Sequence, residues 1–207
     1  MAHIQQFRFV NFIKEILPDF FMEKKVLEIG SLNINGSIRE FFSECFYVGI
    51  DVSNGKDVDV VANGEDFSGE ANSFGVVISC ECMEHNPNYV KTFLNMVRLL
   101  STAGLIIMTC ATYGRAQHGT VESEPMSSPL TINLGQNYYR NLIREDFEVV
   151  VFEKLFSDYF FVTDYSSNDL YFCAVGLDVS EEVRGKFKYM KNTCLAFYGS
   201  LARFGLK

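Results

Sequence analysis

Apolar and polar positions along this chain follow two recurring patterns. Short apolar runs bounded by turn residues read as buried strands. Stretches with apolar residues every three to four positions read as amphipathic helices. Phe9, Phe12, Ile13, Ile16, Leu17 and Phe20 recur at helical spacing and predict an N-terminal helix that stops near Pro18. Apolar runs predict strands over residues 25–29, 46–50, 58–61, 74–80 and 105–110. Ser37-Ile38-Arg39-Glu40 has the form of a capping box, with Ser37 as N-cap, Glu40 reaching back, and Ile38, Phe41 and Phe42 facing the sheet. Asn86 and Pro87 read as the N-cap and first position of another helix, whose stripe is Val90, Phe93, Leu94, Val97 and Leu100.

Residues 111–137 are rich in Gly, Ser, Thr and Pro and have no period. A segment of that length is expected to be functional or disordered. A short helix over 138–143, a strand over 147–153 and a last strand over 170–177 are predicted to follow. The tail from Glu181 carries Phe187, Met190, Cys194, Phe197, Leu201 and Phe204 at helical intervals. Strands alternating with helices predict an α/β fold with a largely parallel sheet covered on both faces. At 207 residues the chain has the size of one domain.

Composition changes this picture in two respects. The net charge of −8 argues against broad contact with a nucleic-acid backbone, whose affinity comes from Lys and Arg. The six cysteines are scattered, and Cys80, Cys82, Cys110 and Cys173 lie in or beside apolar runs, as expected of small buried hydrophobes in a reducing, cytoplasmic compartment. The Cys80–Cys82 pair has no second pair at zinc-finger spacing, so no structural zinc is expected. No apolar run approaches the roughly 20 residues needed to span a bilayer, and no signal peptide is expected.

The stretch Val26-Leu27-Glu28-Ile29-Gly30-Ser31-Leu32-Asn33-Ile34-Asn35-Gly36-Ser37 concentrates the chemistry. It reads as a buried strand, a glycine turn and the start of a helix, the place where open α/β sheets bind nucleotide-like ligands. About twenty residues on, a second apolar run ends in Asp51, and a carboxylate there can accept both hydroxyls of a ribose. A phosphate-binding P-loop needs a Lys before the Ser, and none is present. A dinucleotide fingerprint needs G-x-G-x-x-G, and Gly30 and Gly36 are too far apart for it. A phosphate-free nucleoside cofactor remains, beside an ordinary strand-to-helix turn that binds no ligand.

These motifs resemble the class I S-adenosylmethionine-dependent methyltransferases. Glu28-Ile29-Gly30 with Gly36 matches that family's acidic-x-Gly motif, and Asp51 matches its second acid. Asn63 stands where an Asp that contacts the adenine amino group is usual, and an Asn oxygen can also accept from it. Glu65 and Asp66 are alternatives if the loop is shifted. Ser79-Cys80-Glu81-Cys82-Met83-Glu84-His85 is similar to the motif that follows the fourth strand, and Leu99 to Thr109 matches the fifth-strand motif loosely, with Ala103 for its first Gly. The resemblance implies a single-domain, Rossmann-like sheet of seven strands, mostly parallel, with one antiparallel strand near the end. It implies S-adenosyl-L-methionine as cofactor, with Glu28, Gly30, Ser31 and Gly36 around its amino-acid end. Asp51 would hold the ribose, Val52, Asn63 and Gly64 the adenine, and Glu81 and Met83 the pocket floor.

On this reading residues 1–22 cap the pocket, residues 111–137 hang over the substrate side and residues 178–207 form a helical tail. Methyl transfer from a sulfonium relies on positioning. A general base is needed only where the acceptor must lose a proton. His118 is the candidate base or acceptor contact, because an unperturbed histidine exchanges protons near neutrality. His85 is a candidate wall of the acceptor site. Gly114-Arg115-Ala116-Gln117-His118-Gly119-Thr120, with Ser128-Pro129 and Tyr138-Tyr139-Arg140-Asn141-Leu142, is similar to small bacterial and phage-associated methyltransferases of undefined substrate. Two readings stay open for Tyr138, Tyr139 and Arg140: contact with a substrate carboxylate or ring, or core packing and surface charge. His118 and Glu122 stand four apart, but the segment is too rich in Gly and Thr for a metal-binding helix, and no metal is expected. The expected acceptor is a small molecule or glycan, and an end helix offers a homodimer face. The competing readings are a non-catalytic nucleoside-binding protein and an NAD(P)-dependent oxidoreductase.

Overall fold

The computed structural model describes residues 3–203, with side chains described through Ser200. Seven strands form one sheet: β1 (Lys25–Ile29), β2 (Phe46–Asp51), β3 (Val60–Val61), β4 (Phe74–Cys80), β5 (Leu100–Ala111), β6 (Asp158–Asp164) and β7 (Asp169–Val175). Their order is β3-β2-β1-β4-β5-β7-β6. All neighbours pair in parallel except β7, which runs antiparallel to both β5 and β6. This is the single-domain, mostly parallel α/β sheet that the sequence predicts, with its one antiparallel strand.

Three helices cover the sheet: α1 (Ile4–Ile16), α2 (Tyr89–Leu99) and, after two short ones at α3 (Pro129–Asn133) and α4 (Phe152–Leu155), the long α5 (Glu181–Arg203). One core joins the α1 positions Phe9, Val10 and Ile13 to Phe187, Met190 and Cys194 of α5 across one sheet face. The other face packs Phe93, Met96 and Leu99 of α2 against Leu27, Val77 and Ile106. Phe197 on the tail stripe is exposed, the Leu201 side chain is not described, and Phe204 lies outside the described residues.

Several predicted elements take other forms. Residues 38–41 make a single 3-10 turn instead of a helix, with Ser37 Oγ accepting the Arg39 amide at 3.1 Å. The reason is competition for the sheet face. Here α1 already covers it, and Phe41 and Phe42 are held by ring contacts to Phe7 and Phe21. Helix α2 starts at Tyr89, because Asn86 Oδ1 accepts the Asn88 amide at 2.7 Å in a local turn that displaces the cap. Strand β5 begins five residues early, since Leu100 pairs with Phe74 before a register shift to Leu105 opposite Val76.

No helix forms over 138–143, and residues 147–153 are not a strand. They form a 3-10 turn and α4, burying Phe147, Val150 and Phe152 against Phe93 and Phe172 while Val149 and Val151 face solvent. The strand is instead β6, which pairs with β7 across the Tyr165–Asn168 turn in a local hairpin. Locality favours that pairing, because a short loop costs little closure entropy.

Candidate functional site

The carboxyl ends of β1, β2 and β4 open onto a cleft. The strand order reverses between β1 and β4, so the cleft sits at the topological switch point where open α/β sheets bind ligands. One wall is the turn after β1. Gly30 and Ser31 donate their amides to Ile50 O at 2.9 and 3.1 Å, and Leu32 donates to Asp51 Oδ2 at 3.1 Å. The Val52 amide donates to Asp51 Oδ1 at 2.8 Å. The turn and the Asp51 carboxylate are therefore one hydrogen-bonded unit. Burial pushes the Asp51 carboxyl upward, and these two amides oppose it.

Gly30, at φ +79°, and Gly36, at φ +118°, occupy backbone conformations that favour glycine. Ser31 Oγ is buried without a hydrogen-bond partner. Glu28 accepts the Tyr47 hydroxyl at 2.9 Å, and burial pushes its carboxyl up to about 7 against that bond. At the other end of the cleft lie Val52, Asn63 and Gly64. Asn63 donates to Asp66 Oδ2 at 3.2 Å. Glu65 also lines the cleft, but Asn88 and Thr92 hold its carboxylate at 2.8 and 3.1 Å.

The opposite wall comes from the segment after β4. Glu81, at φ +54°, accepts the Thr109 hydroxyl at 2.9 Å and lines the cleft with Cys82 and His85. Gln6 of α1 closes one side, and Ser127, Ser128, Pro129 and Thr131 cover the mouth. Of residues 111–137, the stretch from Ser127 to Thr131, with α3, and Gln136 line the cleft.

Four predicted site residues, Met83, His118, Tyr138 and Arg140, lie outside the cleft lining. Met83 is fully buried in the core under α2 and does not line the cleft. Arg140 is an exposed ion-pair partner of Asp146, with its guanidinium 5.8 Å from the Tyr89 ring. Tyr138 is half-buried and also outside the lining. The cause is the extended run of residues 138–143. It replaces the predicted helix and turns Tyr139, not Tyr138, inward.

His118 is buried, which loop composition does not foretell, and it stands behind His85 outside the cleft lining. Its ring packs edge-on against His85 at 5.1 Å and Tyr139 at 4.9 Å. Beneath them lies Glu84, with Oε1 4.0 Å from His118 Nε2 and neither oxygen hydrogen-bonded. Burial, with Glu81 nearby, pushes the Glu84 carboxyl up to about 8. Burial pushes the His85 imidazole down to about 3 and lowers that of His118.

A second cluster was invisible in the sequence. His3 Nε2 lies 3.0 Å from Asp169 Oδ2 and 3.6 Å from Glu81 Oε2, an ion pair whose N–H axis lies off the hydrogen-bond line. Arg115 donates to Asp169 Oδ1 at 3.2 Å and to Ser167 O at 2.7 Å. Burial opposes the charge on His3, but the two carboxylates outweigh it and raise the imidazole to about 10. The same contacts hold Glu81 down to about 2 against burial. This network fastens the start of α1 to the edge of the cleft.

No protein-family profile and no curated protein sequence matches the chain. Solved structures do. Phosphoethanolamine N-methyltransferase 2 of Haemonchus contortus, solved with phosphomonomethylethanolamine and S-adenosylhomocysteine, superposes with a TM-score of 0.57 at 18% identity over 82% of this chain and 52% of that one. The chain therefore spans about half the length of that enzyme. The 1,6-didemethyltoxoflavin-N1-methyltransferase of Burkholderia thailandensis, solved with its substrate and S-adenosylhomocysteine, gives 0.54 at 15% identity over 82% and 78%. The PH0226 protein of Pyrococcus horikoshii gives 0.52 at 15% over 84% and 92%. At these identities the likeness is one of fold, and that fold is the Rossmann-like sheet of class I methyltransferases. Among the described residues no helix is long and apolar enough to cross a membrane.

Proposed function

We propose that this chain is an S-adenosylmethionine-dependent methyltransferase of the small bacterial and phage-associated type, acting at oxygen or nitrogen of a small-molecule or glycan-type acceptor. The observation that carries the reading is the union of the Gly30–Leu32 turn with Asp51 at the switch point of the sheet. A turn without a phosphate cradle, bonded to a carboxylate that keeps lone pairs for two hydroxyls, fits a nucleoside that bears no phosphate.

The residues present fit that group. Asp51, fixed by the Leu32 and Val52 amides, lines the cleft with acceptor capacity left for ligand hydroxyls. Gly30 lets the turn after β1 close against Cys82 and so sets the width of the cleft. Glu28, Gly30, Ser31 and Gly36 bind the amino-acid end, Asp51 the ribose, and Val52, Asn63 and Gly64 the adenine. When bound, the cofactor supplies an electrophilic methyl group on a sulfonium centre. The carboxylates of Glu28 and Glu81 face that charge, and Glu81 stays ionised through its contacts with His3 and Thr109.

On the acceptor side, Gln6, Glu81 and His85 form the wall, and Ser127 to Thr131 exclude water. Orientation of the acceptor against the methyl group is the chain's main contribution. His118 acts as a positioning residue that fixes the His85 ring. Met83, Tyr138 and Arg140, which lie outside the cleft lining, are given no contact with cofactor or acceptor in this reading.

Calorimetric titration with S-adenosylhomocysteine tests the reading. Micromolar binding is expected, weakened by about 1–3 kcal/mol in Asp51→Ala, the size of a lost charged hydrogen bond. Absence of binding to either protein overturns it, and binding of NADH in its place moves the assignment to an oxidoreductase.

A further inference from the structure

Two groups of side chains among the described residues have the ligand types and proximity to hold a metal ion. They differ in how their polar atoms are satisfied. In the His3–Glu81–Asp169 group the carboxylates already have Arg115, Thr109 and the imidazole as partners. His3 Nε2, Glu81 Oε2 and Asp169 Oδ2 also lack an aligned hydrogen bond, but the His3 and Arg115 charges balance the two carboxylates, so that group needs no cation.

The Glu84–His85–His118 group is the reverse. Glu84 Oε1 and Oε2, both ring nitrogens of His85 and Nε2 of His118 are buried without a hydrogen-bond partner. Approaches of His85 to the Tyr138 main chain and of the Glu84 carboxyl to its own main chain fall outside hydrogen-bond geometry and are the exceptions. Each residue is at least nine-tenths buried. Five orphaned polar atoms in one spot are far outside what folded proteins tolerate.

The tautomer sharpens the point. His118 Nδ1 lies 3.1 Å from Ala116 O. A carbonyl only accepts, so Nδ1 carries the proton and Nε2 presents a bare lone pair. That lone pair faces Glu84 Oε1 at 4.0 Å, too far for a hydrogen bond. When Glu84 is ionised, two acceptors therefore face each other across a gap. An imidazole whose second nitrogen donates to a main-chain carbonyl is also the usual posture of a metal-binding histidine. Tyr139, whose ring touches both histidines, bonds its own hydroxyl to Ala116 O and Asn141 Oδ1 and walls the gap without filling it.

We propose that Glu84, His85 and His118 bind one divalent cation of the zinc type in the wall of the cleft. Two imidazoles and a carboxylate suit a borderline-soft ion, and three protein ligands leave a fourth position for water or for an acceptor heteroatom. The ligand atoms lie within 4.8 Å of one another. Tetrahedral zinc with bonds of about 2.1 Å needs about 3.4 Å between them, a closure that side-chain rotation supplies. Gly119 seats the loop that carries His118 directly on the His85 ring, so the ion joins that loop to the turn after β4. This inference stands apart from the methyl-transfer reading, because its test needs neither cofactor nor acceptor.

Chelator-treated full-length protein is titrated with Zn²⁺ by calorimetry and with Co²⁺ by visible absorption. One ion per chain is expected, with ligand-field bands of a four- or five-coordinate site and no thiolate charge-transfer band. Glu84→Gln and His118→Gln, checked for folding by circular dichroism, are expected to bind Zn²⁺ at least tenfold more weakly. No stoichiometric binding by the folded wild type overturns the proposal, as does a thiolate band or unchanged affinity in both folded variants. If neither variant folds, His3→Gln, which removes the other cluster, decides the matter: stoichiometric Zn²⁺ binding retained supports the proposal, and binding lost overturns it.

Discussion

A Cβ placed on Gly30 would stand 2.5 Å from Cys82 Cβ. The turn after β1 and the turn after β4 thus meet over a contact that leaves no room for a methyl group, and the two walls of the cleft are set by one glycine. Gly30 also has φ +79°. The expected cost of Gly30→Ala is about 2–5 kcal/mol, combining backbone strain with overpacking. Adding Cys82→Gly removes the clash and leaves the strain, so urea denaturation of the double variant should recover the clash share, less the intrinsic cost of Cys82→Gly.

The His3 ion pair makes stability depend on pH. Its imidazole has an ordinary value of 6.5 and is raised to about 10 in the fold. Between those values the native chain holds more protons than the unfolded chain, so the contribution is complete below pH 6.5 and is lost as pH rises through 10. His3→Gln should therefore be less stable than wild type at pH 6, with the gap closing towards pH 10. A gap that is constant across denaturation curves from pH 6 to 10 would refute the assignment.

Met83 belongs to the core. Truncation by Met83→Ala is expected to cost about 2–5 kcal/mol of stability, as other buried large-to-small changes do. Affinity for S-adenosylhomocysteine should stay within a factor of two at temperatures where the variant is folded. A selective loss of affinity would return Met83 to the pocket.

Gly119 fixes the loop over the cleft. It has φ +61°, and a Cβ would fall 2.5 Å from His85 Cε1 and 2.8 Å from Ser128 Cβ. Gly119→Ala should lift residues 119–128 away from His85. The expected readout is faster limited proteolysis within that stretch, which already exposes Val121 and Met126. Unchanged cleavage would mean that the loop is held by other contacts.

Much of the fold was legible along the chain because its signals are local. The runs at Val26–Ile29 and Phe74–Cys80 are mostly apolar, broken only by Glu28 and Ser79, as strands buried on both faces tend to be, and they form β1 and β4 with the expected ends. Gly30 and Asp51 follow such strands directly, so strand ends alone bring them to one edge of the sheet. Residues 147–153 carry the same apolar signal and form no strand, because a run of Phe and Val equally serves a capping turn over Phe93 and Phe172. The sequence by itself therefore determined the α/β class, the central strands and the glycine–aspartate edge. Only the tertiary structure decided that His3 meets Asp169, that Glu84 meets His118 and that Tyr139 rather than Tyr138 turns inward. Those pairings join residues far apart in the chain, and which partners meet depends on how α1, the loop over the cleft and the β6–β7 hairpin close on the sheet, which no local pattern encodes.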